Sequence, residues 1–118
     1  LTVGINYGGR QDILKAAQRA IQKFSQKNQL QLHEFEMGLN TSSLPDVDLL
    51  IRTGGEKRLS NFVLWEISYA ELYFTDVLWP DFTLQDLSMA IKDYYSRNRR
   101  YGGDNIGEDD AVETIIRA

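Results

Sequence analysis

The sequence predicts an α/β fold in which a partial parallel sheet is flanked by helices. Short apolar runs typical of buried strands alternate with longer segments of helical periodicity, and glycines or other turn-forming residues separate them. With 42% hydrophobic and 25% charged residues, a chain of 118 residues has the composition of a globular domain with its own core. In such sheets, ligands bind at the carboxyl ends of the strands.

The first half of the chain predicts one strand and two helices. Residues 1–5 form an apolar run that ends in the turn at residues 6–9, which indicates a buried strand. Asp12 is a suitable N-cap for the helix that follows, and residues 32–39 predict a second, short helix. The first helix repeats apolar residues at helical spacing, namely Ile13, Ala17, Ala20, Ile21 and Phe24.

The second half predicts two more strands, each followed by a helix. Residues 48–52 form a continuous apolar run, broken by a glycine pair, as expected of a parallel strand covered on both faces. Residues 59–70 are apolar nearly all round, which predicts a buried helix, and residues 72–74 predict the third strand. Thr83 and Asp86 resemble a capping box for a last helix. That helix carries Leu84, Leu87, Ile91 and Tyr95.

The composition also excludes several classes of protein. The net charge of −4 argues against a nucleic-acid binder with a broad basic field, and the absence of cysteine excludes disulfides and thiolate metal sites. No stretch approaches the length of a membrane span, so the chain is expected to be soluble, and the absence of cysteine fits the reducing compartment of a cytoplasmic protein. The chain enters an apolar run directly from Leu1, so we expect an upstream part to be missing. Residues 1–103 are predicted to be one domain and residues 104–118 a mobile acidic tail.

The loop at residues 52–62 is the strongest candidate for an anion site. It places Arg52, Arg58 and Ser60 around a glycine pair, between a predicted strand and a predicted helix. Glycines let the backbone approach a phosphate, a helix N-terminus offers free N–H groups, and arginine pairs with phosphate oxygens in bidentate geometry. The alternative is a solvated turn in which the two arginines pair with Glu56 or Asp46, and the residue chemistry alone favours neither.

Other candidate residues are better explained without a role in catalysis. His33, the one histidine, lies in a polar segment and is expected at the surface. Trp65, Tyr69 and Trp79 are expected to be core or interface aromatics, because large rings contribute mainly through buried area.

Five motifs in fixed order resemble the cis-prenyltransferase family. They occupy residues 6–10 (NYGGR), 48–65, 69–74 (YAELYF), 79–82 (WPDF) and 99–103 (RRYGG). Together they cover most of the chain, which makes the resemblance specific, whereas a glycine pair alone would be weak. The resemblance implies the later part of such an enzyme, with the α/β fold that the apolar pattern predicts.

The resemblance also implies a role for individual residues. Arg52, Arg58 and Ser60 are expected to bind the diphosphate of isopentenyl diphosphate, and Arg100 is expected to reach that site across a homodimer interface. Glu71 is expected to take part in binding Mg²⁺, which prefers oxygen ligands. The alternatives are a carboxylate paired with a nearby base for Glu71 and an ordinary basic helix end for Arg100. Asn6 and Arg10 border the active region in similar enzymes, although a glycine turn before a helix needs no functional reason.

The activity that the resemblance implies is the condensation of isopentenyl diphosphate with an allylic diphosphate to give a long cis-polyprenyl diphosphate, released at the membrane surface as a lipid carrier for cell-wall synthesis. The Asp-Gly-Asn-Gly-Arg loop that builds the allylic site in this family does not occur in the sequence. The isolated chain is therefore expected to be inactive. The alternative function is a non-catalytic diphosphate-binding partner subunit. A P-loop module and a nucleic-acid binder are less favoured, because no Gly-Lys-Ser/Thr follows either glycine turn and the chain is acidic.

Overall fold

A computed structural model describes residues 1–98. The predictions for residues 99–103, including Arg100, and for the tail at residues 104–118 lie outside the described residues. The helices are α1 (Gly9–Lys23), α2 (Leu32–Glu36) and α3 (Leu84–Ser96), the strands are β1 (Leu49–Arg52) and β2 (Glu71–Phe74), and a 3-10 helix spans Trp79–Asp81. The predicted α/β class, with a small parallel sheet flanked by helices, is confirmed.

The sheet consists of two parallel strands in the described part of the chain. Leu49 lies opposite Glu71, and Arg52 lies opposite Phe74, so the two strands are in register over their whole length. All eight strand residues are half-buried. The strands predicted at residues 48–52 and 72–74 are confirmed to within one residue at their N-terminal ends.

The strand predicted at residues 1–5 is not present. Leu1, Val3 and Ile5 are exposed, and β1 pairs with β2 alone among the described residues. A cavity of about 600 Å³ is lined in part by residues 2–8 and by Leu49, Leu50 and Ile51 of β1. A strand is held by the hydrogen bonds of a neighbouring strand, so a run of β-forming residues without such a partner stays irregular.

Helix α1 begins at Gly9, three residues before the predicted N-cap Asp12. The N-cap is Gly8, which has extended backbone geometry. Asp12 is instead buried within the first turns, where its carboxylate accepts a hydrogen bond from the backbone N–H of Asn40 at 3.1 Å. The buried face of the helix contains Ala16 and Ala20. Ile21, which the helical pattern assigned to the packed face, is exposed.

Residues 59–70 form a series of turns and not the predicted helix. Three non-glycine residues in this segment, Ser60, Asn61 and Val63, have positive φ angles of 50°, 64° and 37°. A right-handed helix cannot pass through such a conformation. The apolar composition of the segment correctly indicates partial burial, with Ile67 inside the core, but not its backbone geometry.

Helix α3 begins at the predicted capping box. The Asp86 carboxylate accepts from the backbone N–H of Thr83 at 2.8 Å, while the Thr83 hydroxyl accepts from the N–H of Asp86 at 3.4 Å. A hydrogen bond from the Thr83 hydroxyl to the Asp86 carboxylate at 2.6 Å, followed by the one from the Thr83 N–H, holds the pKa of Asp86 below its usual range. Ala90 is fully buried, whereas the predicted apolar face is largely open to solvent, since Leu84, Ile91 and Tyr95 are exposed.

Within residues 1–98, no helix is long and apolar enough to cross a membrane. The buried hydrophobic core of this part of the chain is small and contains Ala16, Ala20, Leu39, Ile67 and Ala90.

Candidate functional site

The turn that follows β1 is fixed by three backbone hydrogen bonds to the segment that follows β2. Thr75 donates to the carbonyl of Arg52 at 3.0 Å, Gly55 donates to that of Thr75 at 2.9 Å, and Gly54 donates to that of Val77 at 2.9 Å. Both glycines have positive φ, 84° and 76°, which glycine adopts without steric cost. The turn is therefore a continuation of the sheet with a defined backbone.

The helix N-terminus predicted for the anion site is wrong, and the backbone N–H groups of the glycine pair already have partners. The N–H groups of Gly54 and Gly55 are already bonded to carbonyl groups, so they do not point at a ligand. The segment after the turn is not helical, so it provides no helix N-terminus there. The side chains of this loop are therefore its remaining candidates for anion-binding groups.

Arg52 and Arg58 are in different electrostatic environments. Arg58 is exposed and pairs with Glu56, which is one of the pairs expected for a plain salt-bridged turn. Its side chain is 62% exposed, and such pairs contribute only about 0–1 kcal/mol, so a doubly charged anion can compete for Arg58. Arg52 is half-buried at the end of β1 and forms no ion pair within residues 1–98.

Ser60 lies two residues beyond Arg58, in the left-handed conformation and with an exposed side chain. The next residue, Asn61, binds Gly9 and Arg10 and so connects this loop to the start of α1. Arg10 is exposed on the first turn of α1, and Asn6 has a φ of 51°. Two motifs that are about 50 residues apart in sequence thus form one surface.

Glu71 lies at the opposite end of the sheet from Arg52. In the parallel register, Glu71 is level with Leu49, three residues before Arg52, which corresponds to roughly 10 Å along the strand. Its carboxylate is bound by Arg97, with Nη1 to Oε2 at 2.8 Å. The pairing with a nearby base, one of the two alternatives considered for Glu71, is therefore present in the structure.

The donor set of residues 1–98 is not sufficient for a metal site of its own. No three histidine or acidic side chains in this part of the chain lie close enough together to hold a metal ion. Mg²⁺ is commonly bound by one or two carboxylates together with substrate phosphates. A single half-buried carboxylate such as Glu71 fits that chemistry as one ligand among several.

The aromatic residues and His33 lie in varied surroundings. His33 is exposed, as predicted. Trp65 is half-buried against Phe35, with ring centroids 4.7 Å apart, and its indole N–H donates to Glu36. Tyr69 and Trp79 are 66% and 75% exposed, so neither lies in the core, and an interface position for them stays a prediction.

Two residues near the candidate site were missed by the sequence reasoning. Asn61 follows Ser60 directly, and its tolerance of left-handed backbone was the available signal for a turn. Arg97 received no role from the sequence, and nothing in the sequence indicated its contact with Glu71.

The comparisons with known proteins agree with this fold. The Treponema denticola isoprenyl transferase is 56% identical over 104 residues, which cover 86% of this chain and 44% of that protein. The Escherichia coli ditrans,polycis-undecaprenyl-diphosphate synthase ((2E,6E)-farnesyl-diphosphate specific) is 46% identical over 115 residues, 94% of this chain and 46% of the relative. Lavandulyl diphosphate synthase from Lavandula x intermedia, solved in complex with dimethylallyl diphosphate, matches with a TM-score of 0.77 and 41% identity, over 83% of this chain and 44% of that one.

This chain thus spans less than half the length of these relatives. Residues 1–102 match the family profile described as undecaprenyl diphosphate synthase. Because that match includes all five motifs except the last residue of the fifth, the chain belongs to the cis-prenyltransferase family.

Proposed function

We propose that this chain forms the isopentenyl diphosphate half of a cis-prenyltransferase active site. The observation that carries the proposal is the half-buried Arg52 without an ion pair in residues 1–98, at the carboxyl end of a parallel strand and next to a hydrogen-bonded turn. A partly desolvated guanidinium is a strong binding group for a phosphate, because the hydrogen bond is charge-assisted and can be bidentate.

In the reaction proposed for the whole enzyme, the double bond of isopentenyl diphosphate forms a bond to the allylic carbon, pyrophosphate leaves that carbon, and a proton is lost from the isopentenyl unit. In this chain, Arg52 and Arg58 bind the diphosphate of isopentenyl diphosphate, and the Ser60 hydroxyl donates a further hydrogen bond to it. These contacts hold the double bond in place for attack on the allylic carbon, which lowers the barrier by orientation. Arg58 exchanges its exposed partner Glu56 for the substrate.

Glu71 is proposed to supply one carboxylate oxygen to Mg²⁺, and Arg100 of a second copy is proposed to complete the diphosphate site in a homodimer. When bound, Mg²⁺ would neutralise charge on the departing diphosphate. The long cis-polyprenyl product would be released at the membrane surface by a cytoplasmic enzyme and serve cell-wall synthesis. These assignments rest on the matched motifs.

The test uses a hybrid enzyme, in which this chain replaces the matched segment of an isoprenyl transferase relative. Arg58→Ala in the hybrid enzyme is expected to weaken isopentenyl diphosphate binding by about 1.5–3 kcal/mol, since a charge-assisted hydrogen bond is lost. Calorimetric titration measures the dissociation constant. Lys57→Ala, which removes an exposed neighbouring charge, is the matched control and should change it far less. Equal constants for Arg58→Ala and the parent hybrid would remove Arg58 from the site.

The isolated 118-residue chain gives a second test. Incubated with radiolabelled isopentenyl diphosphate and an allylic primer, it is expected to incorporate no label, because the family's allylic loop does not occur in its sequence. Steady incorporation would contradict this expectation. If the hybrid enzyme binds isopentenyl diphosphate but does not turn over, the non-catalytic partner subunit becomes the better description.

A further inference from the structure

We infer that Asn61 is a positioning residue, which fixes Ser60 and the end of the diphosphate loop by binding the first turn of α1. The inference rests on the proposed function, because it explains how the loop holds its shape for that substrate. Asn61 does not itself need to touch the diphosphate.

Three polar atoms of Asn61 contact three successive residues of α1. Its backbone carbonyl accepts from the N–H of Gly9 at 2.7 Å, and its side-chain Oδ1 accepts from the N–H of Arg10 at 2.9 Å. Its Nδ2 donates to the Gln11 side chain at 3.0 Å. The first N–H groups of a helix have no partner within the helix, so Asn61 satisfies groups that α1 cannot satisfy itself.

The backbone next to Ser60 requires such external support. Ser60 and Asn61 are consecutive left-handed residues, and the β-branched Val63 also has a positive φ. Non-glycine residues keep these conformations only where the surrounding structure imposes them. The bonds from Asn61 to α1 provide that constraint and thereby fix the direction in which the Ser60 side chain leaves the loop.

The contact also depends on glycine at the start of α1. A Cβ atom at Gly9 would lie 2.9 Å from the Leu64 side chain, 3.1 Å from its backbone nitrogen and 3.2 Å from the Asn61 carbonyl oxygen. A side chain at this position would push the loop away from the helix. The glycine turn and the loop are therefore built as one unit, in which Asn61 supplies the polar contacts.

Asn61→Gly tests the inference in the hybrid enzyme, because glycine keeps the left-handed backbone but loses both side-chain bonds. The KM for isopentenyl diphosphate is expected to rise about tenfold, with little change in the KM for the allylic diphosphate. Gln11→Ala, which removes only the outermost contact, is the control and should leave both values near those of the parent.

A purely structural role for Asn61 would lower the thermal midpoint and the amount of active enzyme but leave the KM for isopentenyl diphosphate unchanged, and that result would overturn the inference. Should Asn61→Gly fail to fold, Asn61→Ser, which retains a shorter acceptor, is measured in the same way. Arg58→Ala is assayed in parallel: if it also leaves this KM unchanged, the proposed function fails, whereas an effect of Arg58→Ala alone rejects only the role of Asn61.

Discussion

Arg97 ties the end of α3 to the start of β2 by binding Glu71. The same guanidinium nitrogen donates to the Glu71 carboxylate at 2.8 Å and to the carbonyl of Leu72 at 3.0 Å, and the other terminal nitrogen pairs with Asp93. The hydrogen bond to Glu71 is the main cause that raises the pKa of Arg97 above its usual value. One side chain thus links the last described helix to the strand that carries the candidate metal ligand.

Replacing Arg97 with Met is expected to lower the free energy of unfolding of the hybrid enzyme by about 1–2 kcal/mol. Both partners are less than one-third exposed, so the substitution removes charge-assisted bonds and leaves Glu71 without this partner. Urea unfolding measures the change. Lys92→Met, at an exposed basic residue of the same helix, should cost much less. Equal losses for the two variants would show that the hydrogen bonds of Arg97 contribute no more to stability than the exposed side chain of Lys92.

Gly38→Ala is expected to destabilise the contact between α1 and the end of α2. A Cβ atom at this position would lie 2.8 Å from the backbone oxygen of Ala16 and 2.9 Å from its Cα, and backbone atoms in a helix cannot move aside cheaply. The cost should be about 1–3 kcal/mol in urea unfolding. Gly4→Ala is the control, because its nearest neighbour is a Phe62 ring atom at 3.4 Å and the loss should be a few tenths of a kcal/mol.

Gly54→Ala tests the loss of stability that arises from backbone conformation alone. The nearest atom to an added Cβ is 4.0 Å away, so there is space for a methyl group, but the φ of 84° is unfavourable for alanine. The free energy of unfolding should fall by about 1–2 kcal/mol. Asn tolerates the left-handed region better than Ala, so Gly54→Asn should lose less stability in the same measurement. A smaller loss for alanine than for asparagine would contradict this explanation.

The titration of Tyr7 should make the protein less stable at high pH. Burial, followed by the charges of Glu66 and Asp12, raises the pKa of Tyr7 from 10.0 to about 12. Since the folded state holds the phenolic proton more tightly than the unfolded state, the stabilising contribution is complete below pH 10 and is lost as the pH rises toward 12.

Absorbance titration of the phenolates, compared with Tyr7→Phe, isolates this group. Glu66→Gln is expected to lower the pKa of Tyr7, because it removes one of the two negative charges that raise it. If Tyr7 titrates near 10 in the folded hybrid enzyme, burial and the two nearby carboxylates do not raise its pKa there.

Sequence reasoning was most successful where a feature depends on neighbouring residues. The run that became β1 and the capping box of Thr83 and Asp86 are local, and both are present. The helix predicted at residues 59–70 is absent, because apolar composition indicates burial and not backbone conformation. Asn61 contacts α1, which lies about 50 residues earlier in the chain. No local sequence pattern reveals a contact between segments so far apart.

In the candidate site, too, features that depend on neighbouring residues could be predicted and long-range relationships could not. The position of Arg52 before a glycine turn could be predicted, because strand and turn are adjacent in sequence. The separation of Glu71 from Arg52 could not, since it follows from the register of two strands that lie about 20 residues apart. Strand register is set by packing against the rest of the sheet, which the sequence does not state directly.

The bond between Arg10 and Asn61 joins residues 51 positions apart and therefore also constrains how the chain folds. Closing so long a loop costs entropy before the contact contributes any stability, so we expect this contact to form after the local helices. A diphosphate that binds the completed loop should then slow unfolding and leave the rate of refolding nearly unchanged.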